Sequence, residues 1–212
     1  RNCRLGYKVH GMWDLYDLCQ YPSIYFGLET AIWHFLAGSW ALSDTAFSRG
    51  EVGIPINGLI WMGDFDHMLS QIEKKMEAGF RCVKLKIGAI DFEKELALLR
   101  HIRTHFSSKE IELSVDANGA FSPGDAMEKL KRLSEFDLHS IERLTSESPL
   151  PIALDEELIG CNTLEEKKKL LATIRPQYII IKPSLHGGIC GGDEWIMEAE
   201  KQHIGWWITS AL

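Results

Sequence analysis

Several features are missing from this 212-residue sequence, and each absence removes an answer. The five cysteines, Cys3, Cys19, Cys82, Cys161 and Cys190, are odd in number, scattered and without a CxxC pair. That excludes a zinc ribbon or a disulfide scaffold and fits a reducing cytoplasm. No apolar run approaches the roughly 18 residues of a membrane span, so no membrane is expected as a partner. Positive charge is in short supply: 23 Lys and Arg stand against 30 Asp and Glu, a formal charge of −7, which argues against nucleic acid as a partner. No GxGxxG or Walker pattern follows the first strand. The Gly187-Gly188 and Gly191-Gly192 pairs have no GK[ST] after them and read as a flexible loop. His101 and His105 share a helix face, but Ile102 stands where an HExxH site needs Glu, so they read as a surface pair.

With 45% apolar residues, the chain can build a sizeable core. Residues 1–20 show no usable periodicity, no initiator Met and no signal-peptide core; they are expected to be the remnant of an N-terminal capping domain. Residues 21–53 read as a helix (Tyr21 to Leu36) and a linker. From Ile54 to Leu212 strands and helices alternate. Expected strands are Ile54–Trp61, Arg81–Ile87, Ile111–Asp116, His139–Glu142, Leu150–Leu154, Tyr178–Lys182 and Gly205–Ser210. Expected helices run over Asp66–Ala78, Asp91–His105, Ser122–Leu133, Thr163–Ile174 and Asp193–Gln202. Ser122-Pro123-Gly124-Asp125 and Thr163-Leu164-Glu165-Glu166 supply helix-start signals. Repeated units of about 30 residues favour an α/β fold of the TIM-like (β/α)7β barrel type, lacking its last strand, over a doubly wound sheet.

Functional positions in such a fold lie at the C-terminal ends of strands. The ionisable residues there are Lys84 and Lys86, then Asp116, Glu142 and Asp155, then Lys182. Three convergent carboxylates without His or Cys suit a hard divalent ion, Mg²⁺ before Zn²⁺. Lys84 and Lys86, two apart on one strand, point to the same face. Their mutual repulsion is expected to lower at least one pKa. Lys182 ends the apolar run Ile179-Ile180-Ile181 and is expected inside the site. His186, in the glycine loop, is a further residue that could approach a substrate. Strand-end residues recur at intervals of 30, 26 and 27, but Glu142 and Asp155 are only 13 apart. A helical crossover does not fit there, so about 13 residues are expected to be wanting between Glu142 and Arg143.

The ordered set Lys84-Leu85-Lys86, Asp116-Ala117-Asn118-Gly119, Glu142, Asp155-Glu156 and Lys182-Pro183 resembles the enolase superfamily in its muconate-lactonising-enzyme-like subgroup. The resemblance implies that Asp116, Glu142 and Asp155 hold Mg²⁺ and that Lys86 is the general base and then acid. It implies that Lys182 stabilises the enediolate electrostatically from the opposite side and that Lys84 tunes Lys86. The wording of Ile152–Gly160 and Gly205–Leu212 implies, within the subgroup, syn dehydration of a cyclohexadiene carboxylate in menaquinone biosynthesis. The expected partner is therefore a small-molecule carboxylate, with homo-oligomerisation left open. N-acylamino-acid racemisation on the same scaffold is the sister alternative. A Schiff-base aldolase using interior lysines and a non-catalytic barrel are the alternatives of other classes. Glu142 is followed by Arg143-Leu144 where the family usually has Gln or an acid and then Pro.

Overall fold

The computed structural model describes residues 18, 20–142 and 148–211. Among them, seven strands follow one another in sheet order β1-β2-β3-β4-β5-β6-β7. In chain order the elements are α1 (Pro22–Ala37), β1 (Gly58–Ile60), α2 (Phe65–Glu77), β2 (Cys82–Lys86), α3 (Phe92–His105), β3 (Glu112–Asp116) and α4 (Ala126–Leu133). They continue with β4 (Ser140–Glu142), β5 (Ile152–Leu154), α5 (Leu164–Ile174), β6 (Tyr178–Ile181), α6 (Gly188–Lys201) and β7 (Gly205–Ile208). No helix among the described residues is long and apolar enough to cross a membrane. The chain divides into two compact units, Pro55–Ala153 with Pro176–Tyr178, and Arg1–Ile54 with Leu154–Arg175 and Ile179–Leu212.

In the first unit β1 to β5 pair in parallel, and the register sorts the side chains by chemistry. Val83, Leu113 and Leu85, Val115, Ile141, Ile152 align across neighbouring strands. They are buried with Met68 and Ile72 of α2, Leu96, Leu99 and Ile102 of α3, and Leu130 and Leu133 of α4. Because strand residues alternate faces, the intervening positions fall on the other face: Leu59, Lys84, Ser114 and Ser140 in one row, then Lys86, Asp116 and Glu142. The same alternation that builds the core therefore collects the ionisable residues. Beneath the sheet, Arg103 of α3 donates to the carbonyls of Phe136, Ile111 and Asp137 at 2.7, 2.8 and 3.0 Å, tying helix to loop.

One detail departs from the sequence reading. The Ser122 start signal does not open α4. Ser122 Oγ donates to Asp125 Oδ1 at 2.7 Å, its carbonyl accepts from the Asp125 and Ala126 N–H groups, and the helix begins one turn later at Ala126. In keeping with the consecutive strand order, β4 and β5 pair directly in parallel, Ile141 with Ile152 and Glu142 with Ala153. The pairing is supported where the Ile141 N–H donates to the Pro151 carbonyl at 2.9 Å. The segment expected to be wanting after Glu142 adjoins residues 143–147, which lie outside the described residues.

In the second unit, α5 starts at the expected capping box. The Thr163 side chain accepts from the Glu166 N–H, and the Glu166 carboxyl reaches back to the Thr163 N–H. Here the structure corrects the glycine loop. Gly191 and Gly192 lie inside α6, which begins at Gly188 rather than Asp193. The first reason is packing: a Cβ on Gly191 would stand 2.3 Å from the His186 carbonyl oxygen. The second is capping from far along the chain. Buried Glu29 of α1 accepts from the Ile189 N–H at 2.5 Å and the Cys190 N–H at 3.0 Å, satisfying donors that a helix start leaves open. Lys167 of α5, buried, donates to the Gly191 carbonyl at 3.0 Å and to Glu194 at 2.9 Å, fixing the same turn from the other side.

Candidate active site

Four of the six singled-out residues come together in the first unit, at the C-terminal ends of β2, β3 and β4. Lys86 Nζ donates to Asp116 Oδ2 at 2.5 Å and to Asn118 Oδ1 at 3.2 Å. Lys84 Nζ pairs with Glu142 Oε1 at 2.5 Å and with Asp116 Oδ2 at 3.3 Å. The Asn118 N–H donates to Asp116 Oδ1 at 2.9 Å, which requires the turn after β3: Asn118 has φ 45° and Gly119 φ 73°. Asn and Gly are the residues that tolerate this left-handed backbone. Asn118 was visible in the motif but carried no role there; its side chain and backbone hold both Lys86 and Asp116.

Asp116 and Glu142 are buried carboxyls in one register row, and their acidities diverge. Burial would raise Asp116, but its hydrogen bond with Glu142, the Lys86 and Lys84 ammonium groups and the Asn118 N–H hold it well below the usual carboxylate range. Glu142 goes the other way, to about 8, pushed up by burial and the neighbouring Asp116 charge against the pull of Lys84. Two carboxyls this close resist ionising together, which is why their acidities move apart. For Lys84, burial draws the pKa down, yet the Glu142 and Asp116 carboxyls outweigh burial and it rises.

In the second unit, Lys182 Nζ donates to Asp155 Oδ2 at 2.7 Å and lies 3.9 Å from Glu156 Oε1. The Lys182 N–H donates to His186 Nδ1 at 3.0 Å. His186 is buried and its pKa falls to about 4, chiefly through burial, with the Lys182 and Lys167 charges adding to the shift. It is a neutral acceptor that secures the β6 end, and its side chain is not at the surface. His101 and His105 stack at 4.6 Å between ring centres on α3. Among the described residues no group of three or more His, Cys, Asp or Glu is drawn together as a metal site.

The donor chemistry can nevertheless be tested against a divalent ion. Both Glu142 oxygens are buried, with only the Lys84 ion pair and the Asp116 carboxyl beside them. Beside them sits a second buried carboxyl, with no imidazole or thiol in the row. A buried, oxygen-only donor pair fits a hard dication of the Mg²⁺ type.

This constellation, on parallel strands alternating with helices, defines an α/β protein of the enolase kind. The enolase C-terminal domain-like family model matches residues 67–212, and the chain belongs to that family. An o-succinylbenzoate synthase from Desulfotalea psychrophila is 51% identical over 215 residues, covering 94% of this chain and 58% of that protein. The crystal structure of MenC from the same organism superposes with a TM-score of 0.79 at 50% identity, covering 88% of this chain and 55% of that one. An N-succinylamino acid racemase from Thermus thermophilus is 33% identical over 133 residues, 57% of this chain and 33% of that protein. The chain thus spans little more than half the length of the Desulfotalea synthase.

Proposed function

We propose that the protein is a Mg²⁺-dependent o-succinylbenzoate synthase, a cytoplasmic hydro-lyase that dehydrates a cyclohexadiene carboxylate on the route to menaquinone. The observation that carries this reading is Lys86 held against Asp116, beside the buried Asp116–Glu142 pair, on one face of one sheet. The 51% identity to the Desulfotalea enzyme supports it.

Asp116 and Glu142 would hold the ion. When bound, Mg²⁺ supplies Lewis-acid neutralisation of the substrate carboxylate, which makes an otherwise feeble α-proton removable. Lys86 takes that proton on Nζ and returns one to the departing hydroxide from the same face, so that water leaves and the proton count balances. Asn118, bonded to both partners, keeps Nζ oriented. Lys84 places a positive charge between Asp116 and Glu142 and sets the field at Lys86. Lys182, anchored by Asp155 and by His186 at its backbone, contributes charge and exchanges no proton in the dehydration. A Schiff-base role for Lys84 is disfavoured, because that chemistry needs a neutral amine and Lys84 is driven towards its charged form.

The test is an assay of the full-length protein with the cyclohexadiene carboxylate and, in parallel, an N-succinylamino acid. Dehydration that is lost in EDTA and restored by Mg²⁺ is the expected result. Turnover of the amino acid alone would replace the reading by racemisation, the activity named for the Thermus relative. Activity indifferent to EDTA, with borohydride trapping on a lysine, would replace it by an aldolase.

A further inference from the structure

We propose that Trp61 is a specificity-determining residue of this site, offering its indole face to a flat, unsaturated carbon ring in preference to an open chain. The proposal rests on the functional reading above.

The position follows from register. Leu59 pairs with Lys84 and Ile60 with Leu85, so the next residue, Trp61, stands beside Lys86 on the face that bears the ionisable row. The side chain follows suit: Lys86 Nζ lies 5.9 Å from the indole ring centre, within range of an attractive cation–π contact. Trp61 is 49% exposed, an unusual condition for the largest apolar side chain at the end of a strand otherwise buried at Gly58 and Ile60. It is also held in place. Gln71 of α2 grips both polar groups of the Trp61 backbone: Oε1 accepts from its N–H at 2.9 Å and Nε2 donates to its carbonyl at 3.0 Å. An exposed indole on a backbone fixed by two hydrogen bonds is a preorganised surface, which lowers the ordering cost of binding.

Distance then selects the ligand. A carbon that gives its proton to Lys86 must come within about 3–3.5 Å of Nζ. The indole centre is 5.9 Å from the same atom, so for a substrate that approaches Nζ from the Trp61 side, atoms one or two bonds from the reacting carbon lie against the indole. If those atoms belong to a planar ring, they meet the indole at the separations of about 4.5–7 Å at which aromatic faces attract. The amide and flexible chain of an N-acylamino acid gain much less from that face.

The experiment compares wild type with Trp61→Phe, Trp61→Leu and Trp61→Ala in the full-length protein with Mg²⁺. KM and kcat are measured on the cyclohexadiene carboxylate, and calorimetry follows binding of o-succinylbenzoate and of N-succinylglycine. Loss of the indole should weaken the ring ligands roughly tenfold, in KM more than in kcat, while N-succinylglycine binding changes less than threefold. Trp61→Phe should retain most of the preference. Equal weakening of ring and open-chain ligands, or no weakening, overturns the proposal. Trp61→Leu preserves bulk and decides the matter if the alanine variant unfolds. Should wild type turn over no cyclohexadiene substrate, the functional reading fails by itself, and the two binding titrations still decide the role of Trp61.

Discussion

Removal of the Glu29 carboxyl is expected to loosen the start of α6, and the structure sets the size of the effect. Glu29 is buried and accepts from two backbone N–H groups, those of Ile189 and Cys190. In Glu29→Ala both donors lose their acceptor in a place water does not reach, at about 1–3 kcal/mol each, so about 2–6 kcal/mol in total. Glu29→Gln keeps the shape and one acceptor oxygen but turns an NH₂ towards the other N–H, and should cost roughly half as much. Urea unfolding of the full-length protein measures the loss, and hydrogen exchange at the Ile189 and Cys190 amides locates it. A third substitution supplies the control. A Cβ on Gly188 would stand 2.2 Å from Glu29 Oε2, on a backbone with φ +77°. Gly188→Ala should therefore be destabilising alone, and the double variant with Glu29→Ala less so than the two losses added, since the clash with Glu29 has gone while the Tyr25 ring at 2.8 Å and the backbone strain still oppose the Cβ. Additive losses, or unchanged exchange at the two amides in Glu29→Ala, would refute the capping argument.

Lys86→Ala should lower dehydration by at least about 10²–10⁴-fold with little change in the unfolding midpoint, and should abolish solvent-deuterium incorporation; Lys182→Ala should reduce turnover yet leave incorporation intact. Near-normal turnover in Lys86→Ala, read in a steady-state assay, would remove it from the mechanism. Thr163→Ala should cost about 1 kcal/mol through loss of the α5 cap, measured by urea unfolding, with no effect on KM. His186, with its pKa near 4 in the folded protein against 6.5 ordinarily, stays neutral while the unfolded chain takes up a proton. Its contribution is complete above about pH 6.5 and is lost as pH falls towards 4, amounting to at most about 3 kcal/mol. An unfolding titration should show this loss in wild type and not in His186→Asn.

What could be read from the sequence was whatever neighbours along the chain decide. The capping box at Thr163 closes over three residues, and it forms as the pattern implies. Two-residue alternation puts Lys84 and Lys86 on one face, and it does so without reference to anything distant. Where partners lie far apart, local signals mislead. Gly191 and Gly192 look like loop residues, yet they are helical because the His186 carbonyl needs the space and Glu29, some 160 residues away in sequence, caps the turn. Ser122-Pro123-Gly124-Asp125 has the letters of a helix start, but the serine hydroxyl is spent on the Asp125 side chain instead of on a backbone N–H. The upward Lys84 shift is of the same kind: the lysine two residues away is plain in the sequence, whereas the two carboxyls that raise Lys84 arrive on other strands. Trp61 gave no sign at all, since an aromatic closing an apolar strand normally belongs to the core.

The arrangement also explains why the apolar face of the strands must be so well filled. Lys84, Asp116 and Glu142 are largely withdrawn from water, and each such charge carries a desolvation cost of several kcal/mol that ion pairing only partly returns. On the opposite side of the same strands Leu85, Leu113, Val115 and Ile141 are fully buried, at roughly 1.5–3 kcal/mol of favourable transfer for each side chain. Because successive residues alternate between faces, every polar position at the strand ends is backed by an apolar one that offsets it. Unfavourable groups can then be concentrated in one row without unravelling the strands that hold them. A site assembled on loops would lack that compensation, and its ionisable groups would relax into solvent, losing the mutual proximity that separates the acidities of Asp116 and Glu142.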